Sequence, residues 1–294
     1  MKVIFLSANN YGDSSNNYGD CVLIDTGSTL VIYDCGCEEH ANRVIAYMRK
    51  TGYQKAKFVL SHNDSDHFNG LPKLIDAGVI SSVYTLLLLK YKKELLDLID
   101  DGRVTENSLT EKIKEVYDNI YSLSGKVELI DALTLPSIVG STRIAGPDKD
   151  TALTAVAKFL DNREGDTLDG ETIYNAISFQ LLVPMDDGQY LLLAGDSAYA
   201  PMESNVKQAR YIQLPHHGKW AIAESIFDLK AAQKDVDARY FVSDNTGDTN
   251  GGSSELKKHI YGRNVAFTLE QDIVFSPSYS SRQSSYIPGG GLGN

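Results

Sequence analysis

Short apolar runs separated by polar breaks dominate both ends of the chain. Val3-Ile4-Phe5-Leu6, Val22-Leu23-Ile24, Leu30-Val31-Ile32-Tyr33 and Phe58-Val59-Leu60 predict strands near 2–7, 21–25, 30–34 and 58–61. Runs of this length, bounded by polar residues, suit a buried strand better than an amphipathic helix. Val44, Ile45 and Met48 recur at helical spacing and predict a helix from Glu39 to Lys50. Leu71, Leu74 and Ile75 begin another. The middle of the chain reads differently. Leu109, Ile113, Val116, Tyr117, Ile120 and Leu123 form a helical stripe opening after Asn107-Ser108, and Tyr91, Leu95, Leu98 and Ile99 form one before it. Both predict packing faces, with a lid over a cleft as the alternative use. The strand pattern returns near 176–183 and 189–194, followed by a helix near 221–234, a strand at 239–243 and a helical stretch over 253–262. The expected fold is therefore α/β, with two strand-rich halves around a helical insertion at about 84–133. One domain takes up residues 1–294, with a Ser/Tyr/Gly-rich tail from about 276.

The polar breaks carry the chemistry. Phe58-Val59-Leu60-Ser61 stops at His62, and His62, Asp64, Asp66 and His67 follow within six residues. Imidazole and carboxylate are the side chains that suit divalent first-row metals, and one strand-to-helix turn lets them converge. Gln189-Tyr190-Leu191-Leu192-Leu193 ends at Gly195-Asp196, and Tyr211-Ile212-Gln213-Leu214 ends at Pro215-His216-His217-Gly218. Four of the six histidines thus sit at strand ends, where side chains can point into one cleft. A Gly-Asp after a strand is ordinarily just a turn. The three breaks together predict a metal site. His259, beside Lys257 and Lys258, reads as solvated.

Composition narrows the setting. The chain has 294 residues, 42% of them hydrophobic, which is enough for one substantial core. No apolar run approaches a membrane span, since Leu86-Leu87-Leu88-Leu89 ends at Lys90, and the Val3–Leu6 run is too short for a signal peptide. Cys21, Cys35 and Cys37 make an odd count with no redox or zinc spacing, so reduced thiols and a cytoplasmic location are expected. A net charge of −11 argues against an extended duplex-DNA surface, which needs clustered Lys and Arg. Bound cations reverse the field locally, so a phosphodiester substrate remains compatible with it. The acidic stretch 161–172, with Asp161, Glu164, Asp166, Asp169 and Glu171, reads as an exposed loop without a catalytic carboxylate pair. Gly247 to Gly252 is too weak a pattern to assign as a phosphate cradle.

The set of motifs resembles the metallo-β-lactamase fold, whose usual signature is H-x-H-x-D-H followed by a later aspartate and histidine. It is most similar to the metallo-β-lactamase-like domain of the competence protein ComEC and its free-standing relatives, which carry H-x-D-x-D-H, as His62, Asp64, Asp66 and His67 do here. Gly19-Asp20-Cys21, Asp34-Cys35-Gly36, Asn175 to Ser178, Arg143-Ile144-Ala145-Gly146-Pro147, Leu191-Leu192-Leu193-Ala194-Gly195-Asp196 and Pro215-His216-His217-Gly218 also resemble that group. The resemblance implies an αββα sandwich holding two divalent ions, Mn²⁺ or Zn²⁺ with Mg²⁺ an option. His62 and Asp64 would serve one ion, Asp66 and His67 the other, and Asp196 would bridge. One of His216 and His217 would complete the shell and the other would donate a proton. We assign His216 to the ligands, and His217, Asp66 and Lys219 to catalysis. Carboxylate at position 64 hardens that site toward Mn²⁺ or Mg²⁺. Two departures stand out. Lys219 occupies a position usually held by serine, and is either a phosphate contact or a surface lysine. Where a final ligand histidine often follows, this chain has Gly247-Asp248-Thr249-Asn250, so Asp248 substitutes or the second metal site is weak.

The function expected is metal-dependent hydrolysis through an activated water. Its substrate would be a phosphodiester in single-stranded or short nucleic acid, or in nucleotides. Hydrolysis of a small ester, lactone or amide is the enzymatic alternative, and a non-catalytic metal-binding module is the third reading. The fold alone does not select among them.

Overall fold

A computed structural model describes residues 1–7, 19–99, 102–134, 136–161, 167–243, 252–268 and 271–278. The first half runs β1 (Lys2–Phe5), β2 (Val22–Asp25), β3 (Leu30–Tyr33), α1 (Glu38–Thr51), β4 (Ala56–Val59), α2 (Ser65–Phe68), α3 (Leu71–Asp76) and β5 (Ile80–Thr85). Three helices follow, α4 (Lys92–Ile99), α5 (Glu106–Val116) and α6 (Asp118–Tyr121), then β6 (Glu128–Asp131), β7 (Ser137–Val139) and β8 (Thr142–Gly146). The second half continues with α7 (Lys149–Asp161), the hairpin β9 (Thr167–Leu168) and β10 (Glu171–Thr172), α8 (Ile173–Ala176), β11 (Gln180–Pro184), β12 (Tyr190–Leu193), α9 (Tyr199–Gln208) and β13 (Tyr211–Gln213). It closes with the single turn α10 (Pro215–Gly218), α11 (Trp220–Ala232), β14 (Arg239–Val242), β15 (Asn264–Phe267) and β16 (Ile273–Phe275).

The strands form two seven-stranded sheets, ordered β16-β1-β2-β3-β4-β5-β6 and β15-β14-β13-β12-β11-β8-β7. Their inner faces meet in one core. Phe5 of the first sheet stacks on Phe241 of the second at 4.8 Å, and Tyr211 meets Phe275 edge-on at 4.7 Å. Alternation along the strands divides the second sheet's residues between two layers. Leu181, Val183, Leu191, Leu193 and Phe241 join the central core, whereas Leu182, Leu192, Ile212, Tyr240 and Val242 pack outward against Met202, Val206, Ile222 and Ile226 of α9 and α11. All four residues of β3 are buried, so both faces of the first sheet are covered as well. Strands β3, β4, β5 and β6 are mutually parallel, as are β12 to β15. The loops after β3, β4, β12 and β13 therefore gather at one edge of the sandwich, the usual place for a site in such sheets.

Local chemistry explains the elements. Cys37 caps α1, Glu38 and Glu39 occupy its first turn, Arg49 and Lys50 its last, and Gly52 ends it at φ 83°. Four expected boundaries move. Strand β4 begins two residues early and ends at Val59, because Ser61 turns away to bond Asp34. Helix α5 starts at Glu106, capped by Thr105 and Ser108 in a reciprocal box, one turn ahead of the expected Asn107-Ser108 start. The strand expected from 176 begins at Gln180, since Thr172 caps the helical turn α8. The helix expected over 253–262 reduces to one 3₁₀ turn, Leu256–Lys258, pinned by a single buried residue, Leu256, and followed by Gly262 at φ 74°. The helical insertion also contributes a strand, because β6 pairs with β5 in the first sheet. Asp248 and residues 244–251, together with the tail from 279, lie outside the described residues.

Candidate metal centre

Two turns build the site. The first follows β4, and its backbone is gripped by two other loops. Asp20 N–H donates to the Asp66 carbonyl at 3.0 Å, Cys35 N–H to that of His67 at 2.8 Å, and Gly36 N–H to that of Asp20 at 2.9 Å. A Cβ on Gly19 or Gly36 would come within 2.3 or 1.9 Å of the Asp66 carbonyl oxygen, so only glycine permits this approach. Asp34, at φ 58°, stands at the centre. Its carboxylate accepts from Ser61 N–H and Ser61 Oγ, both at 2.7 Å, and pairs with His67 Nδ1 at 2.8 Å. The helical insertion closes this turn from outside. Asn63 Nδ2 donates to the Val116 carbonyl at 3.0 Å, and Asn119 Nδ2 donates to the Asn63 carbonyl at 3.1 Å.

The second turn, after β13, is held by its backbone conformation. His216 (φ 50°, ψ 53°) and His217 (φ 54°, ψ 29°) are successive left-handed residues, a strained arrangement for side chains with a Cβ. It sends the two rings to different partners. His217 Nδ1 donates to the Ser243 carbonyl at 2.9 Å, and its Nε2 lies 3.1 Å from Asp66 Oδ2. His216 Nδ1 meets Glu171 Oε2 at 2.7 Å, and its Nε2 lies 3.7 Å from Asp196 Oδ2.

A common rule emerges for all four histidines. Each Nδ1 is engaged by the protein, that of His62 by the hydroxyls of Ser61 and Ser178 at 2.9 and 3.2 Å. Each Nε2 is thereby directed at a carboxylate in the cleft. His67 Nε2 is 3.3 Å from Asp196 Oδ1, and His62 Nε2 is 3.9 Å from Asp196 Oδ2 and 3.6 Å from Asp64 Oδ2. Fixing one ring nitrogen sets which nitrogen presents its lone pair, the arrangement found behind metal-bound histidines. His62 Nε2, His67 Nε2 and Asp196 Oδ1 are buried without a hydrogen-bond partner, which is costly unless a cation satisfies them. The donor atoms of His62, His67 and Asp196 lie within 4.8 Å of one another, as do those of Asp66, His67 and His217. The donor set, nitrogen plus carboxylate oxygen, fits a divalent ion.

Electrostatics agree with that fit. Burial would lower His217, but its bond to Asp66 and the charges of Asp196 and Asp20 lift it to about 9. His67 rises for the same reason, as the charges of Asp196 and Asp34 outweigh burial. Burial would raise Asp66, yet the His67 charge and the His217 bond bring it to about 2. Asp196 falls well below the ordinary carboxylate range despite complete burial, through His67, His217 and His62. The carboxylates thus call for positive charge at the ring nitrogens, which a proton or a metal ion supplies.

All the expected ligands meet at this edge, in unequal settings. His62, Asp66, His67, Asp196 and His217 are buried, whereas the Asp64 side chain is 47% exposed and belongs to neither tight group. His217, not His216, sits with Asp66 and His67, while His216 keeps 14% of its side chain open to the cleft. The cleft is a cavity of about 250 Å³ lined by Asp64, Ser65, Asp66, Asn175, Asp196 and His216. Lys219 reaches back to Glu171 Oε1 at 2.5 Å and the Gly170 carbonyl at 3.1 Å.

Glu171 corrects one expectation. Read from the sequence as part of an exposed acidic loop, it is 1% exposed and pairs with both His216 and Lys219. The short hairpin β9–β10 turns it inward, and an acid within an acidic run gave no signal of this. Asp34 was likewise missed as a supporting residue, although it follows an apolar strand just as Asp196 does. The three cysteines are free thiols, two of them buried. Among the described residues no helix is long and apolar enough to cross a membrane.

The fold and the paired turns define a class, a two-sheet α/β sandwich with a histidine–carboxylate cluster at one edge that fits a divalent ion. Residues 16–142 match the Metallo-beta-lactamase superfamily. The chain superposes on YhfI, a metallo-beta-lactamase fold protein from Bacillus subtilis, with a TM-score of 0.55 at 12% identity, covering 94% of this chain and 99% of that one. Igni18, a metallo hydrolase from the archaeon Ignicoccus hospitalis, gives a TM-score of 0.48 at 12% identity over 95% and 100% of the two chains. The short form of human tRNase Z gives 0.44 at 13% identity over 94% and 99%. No curated protein sequence matches the chain. The chain therefore has the metallo-β-lactamase fold, and its residues 16–142 are similar to that superfamily.

Proposed function

We propose that this protein is a metal-dependent phosphodiesterase of the ComEC-like group, acting on single-stranded or short nucleic acid. The observation that carries the metal dependence is the orientation of the four histidines, each tied at Nδ1 and aimed by Nε2 at Asp196, Asp66 or Asp64. His62, Asp64 and Asp196 would hold one divalent ion, and Asp66, His67 and His217 the other, with Asp196 shared. Divalent ions there would supply Lewis acidity to a substrate oxygen and lower the pKa of water.

The remaining work falls to side chains of this chain. His216 is the most open of the four histidines and its Nδ1 is fixed by Glu171, so its Nε2 is placed to pass a proton to a leaving oxygen. This exchanges the roles that the sequence reading gave His216 and His217. Lys219 stands at the same rim and offers its ammonium to a non-bridging phosphate oxygen once it leaves Glu171. Asn175 Nδ2, 3.4 Å from Asp196 Oδ2, steadies that carboxylate. The lining of the cleft favours phosphodiesters over lipophilic esters. All six lining residues are polar or charged, and an acyl chain would meet no apolar wall.

The test is hydrolysis of bis(p-nitrophenyl) phosphate by protein stripped of metal and reloaded with Mn²⁺, Zn²⁺ or Mg²⁺. Turnover restored by Mn²⁺, and lost in Asp196→Ala, is the expected result. Turnover of p-nitrophenyl acetate with none of the diester would contradict the phosphodiester reading.

A further inference from the structure

We propose that residues 257–263, together with Trp220, form a stacking and phosphate-binding strip that guides single-stranded nucleic acid to the metal cleft. This rests on the phosphodiesterase reading above for its direction, but its binding role stands apart from catalysis. Lys257-Lys258-His259-Ile260-Tyr261-Gly262-Arg263 carries three cations and no acid in a chain whose net charge is −11. The strip is exposed. Lys257, Lys258, His259, Tyr261 and Arg263 all face solvent, and Tyr261 is 97% exposed, more than any other large hydrophobic residue described. An aromatic ring held in water beside cations is the composition that binds bases by their faces and the backbone by its charge.

The strip adjoins the cleft through its anchoring. Lys219, which pairs with the same Glu171 that holds the cleft residue His216, is followed directly by Trp220, and the Trp220 ring stacks on His259 at 4.1 Å with 15° between planes. Trp220 also lies 6.2 Å from Phe227, a tilted ring contact on the same helix. Leu256, fully buried, packs under the histidine turn, where a Cβ on Gly218 would come within 2.8 Å of it. The outer face of His259 is left for a base, with its side chain 42% exposed. The cations are prearranged. Arg263 lies 4.5 Å over the Phe227 ring, and Lys257 lies 5.3 Å from the Phe267 ring. Lys258 meets Glu255 at 2.5 Å, but both are largely exposed, and a surface pair of this kind yields readily to a phosphate. A strand cleaved beside Asp196 and His216 would run over Lys219, Trp220 and His259 toward Tyr261 and Arg263.

The acidic remainder of the surface explains why a single strand is the partner. Three cations in one short strip neutralise few phosphates, so affinity must come partly from stacking, which a duplex does not offer. The test is fluorescence anisotropy of a labelled oligothymidylate of about twelve nucleotides, with the full chain in EDTA, beside bis(p-nitrophenyl) phosphate turnover of the metal-loaded protein. Tyr261→Ala and Lys257→Glu/Lys258→Glu are each expected to weaken oligonucleotide binding about tenfold, with turnover of the small diester unchanged. The wild-type affinity is expected to fall with salt at a log–log slope of about −2. Wild-type protein that binds no oligonucleotide, or variants that bind as well as wild type, would overturn the strip, whether or not the small diester is hydrolysed. Equal binding of poly-glutamate, with the same sensitivity to both variants, would overturn it in favour of an acidic protein partner. Oligonucleotide binding with no diester turnover under any metal would leave the strip standing and remove the phosphodiesterase reading instead.

Discussion

The turn after β4 and the turn after β13 present histidines to the same carboxylates, but they are held in opposite ways. The first uses ordinary helical backbone and depends on its surroundings. Asp34, Gly19, Gly36 and the insertion's Asn119 all grip it, and each comes from elsewhere in the chain. The second carries its constraint in its own backbone, with two consecutive left-handed histidines whose Nδ1 atoms meet Glu171 and the Ser243 carbonyl. The lesson is that precise ligand placement can be distributed over distant loops or stored locally as strain. The first arrangement exposes the site to remote mutations, and the second confines sensitivity to a few residues.

Asp34→Asn should break the first turn most severely. Asparagine tolerates the left-handed backbone at this position, so the change removes the charge behind His67 while keeping the shape. Metal affinity is expected to fall about 10–100-fold, measured by titration of metal-stripped protein; an unchanged affinity would show that His67 needs no partner. Acid should also unfold the chain through the first half. His40, on α1 just past Gly36, is held neutral by burial and by nearby Arg43, and its pKa is pushed down to about 3. The unfolded chain protonates this histidine near pH 6.5, so the stability it contributes is complete above that value. It drains as pH falls toward 3, by about 1.4 kcal/mol per unit. Urea denaturation at pH 7 and pH 5 should show this slope for wild type and a flatter one for His40→Leu.

Glu171→Gln sharpens the contrast from the other side. It is expected to lower turnover of a phosphodiester about tenfold and to leave metal content unchanged, because the backbone still places His216 and His217. Loss of metal would instead make Glu171 part of the ligand support. The smallest effect belongs to Asn119→Ala. Losing one hydrogen bond to Asn63 should weaken metal binding by a few-fold, about 1 kcal/mol, and only at the ion that Asp64 serves. A Co²⁺ titration followed by visible absorption separates the two ions.

Much of this was legible beforehand, for a physical reason. Side chains at strand ends are adjacent in sequence to the apolar runs that predict the strands, so the convergence of His62, Asp66, His67, Asp196 and the His216-His217 pair at one edge could be anticipated. The two-sheet fold followed from the same runs and from the motif resemblance. What stayed hidden were residues whose role depends on tertiary packing. Glu171 looked like any loop acid until the hairpin buried it, and the different partners of His216 and His217 follow from a left-handed backbone that no residue type reveals. The 253–262 segment misled because its polar composition is compatible with a helix, yet Leu256 is its one fully buried apolar residue, with Ile260 only partly packed against the same core.

The central claim is that the convergent histidines and carboxylates form a metal centre. Calorimetric titration of the metal-stripped protein with Mn²⁺ and with Zn²⁺, beside Asp196→Ala, tests it most directly. Two ions bound per chain by wild type, with binding lost or much weakened in the variant, is the predicted result. Wild-type protein that binds neither ion, while remaining folded, would contradict the account at its base.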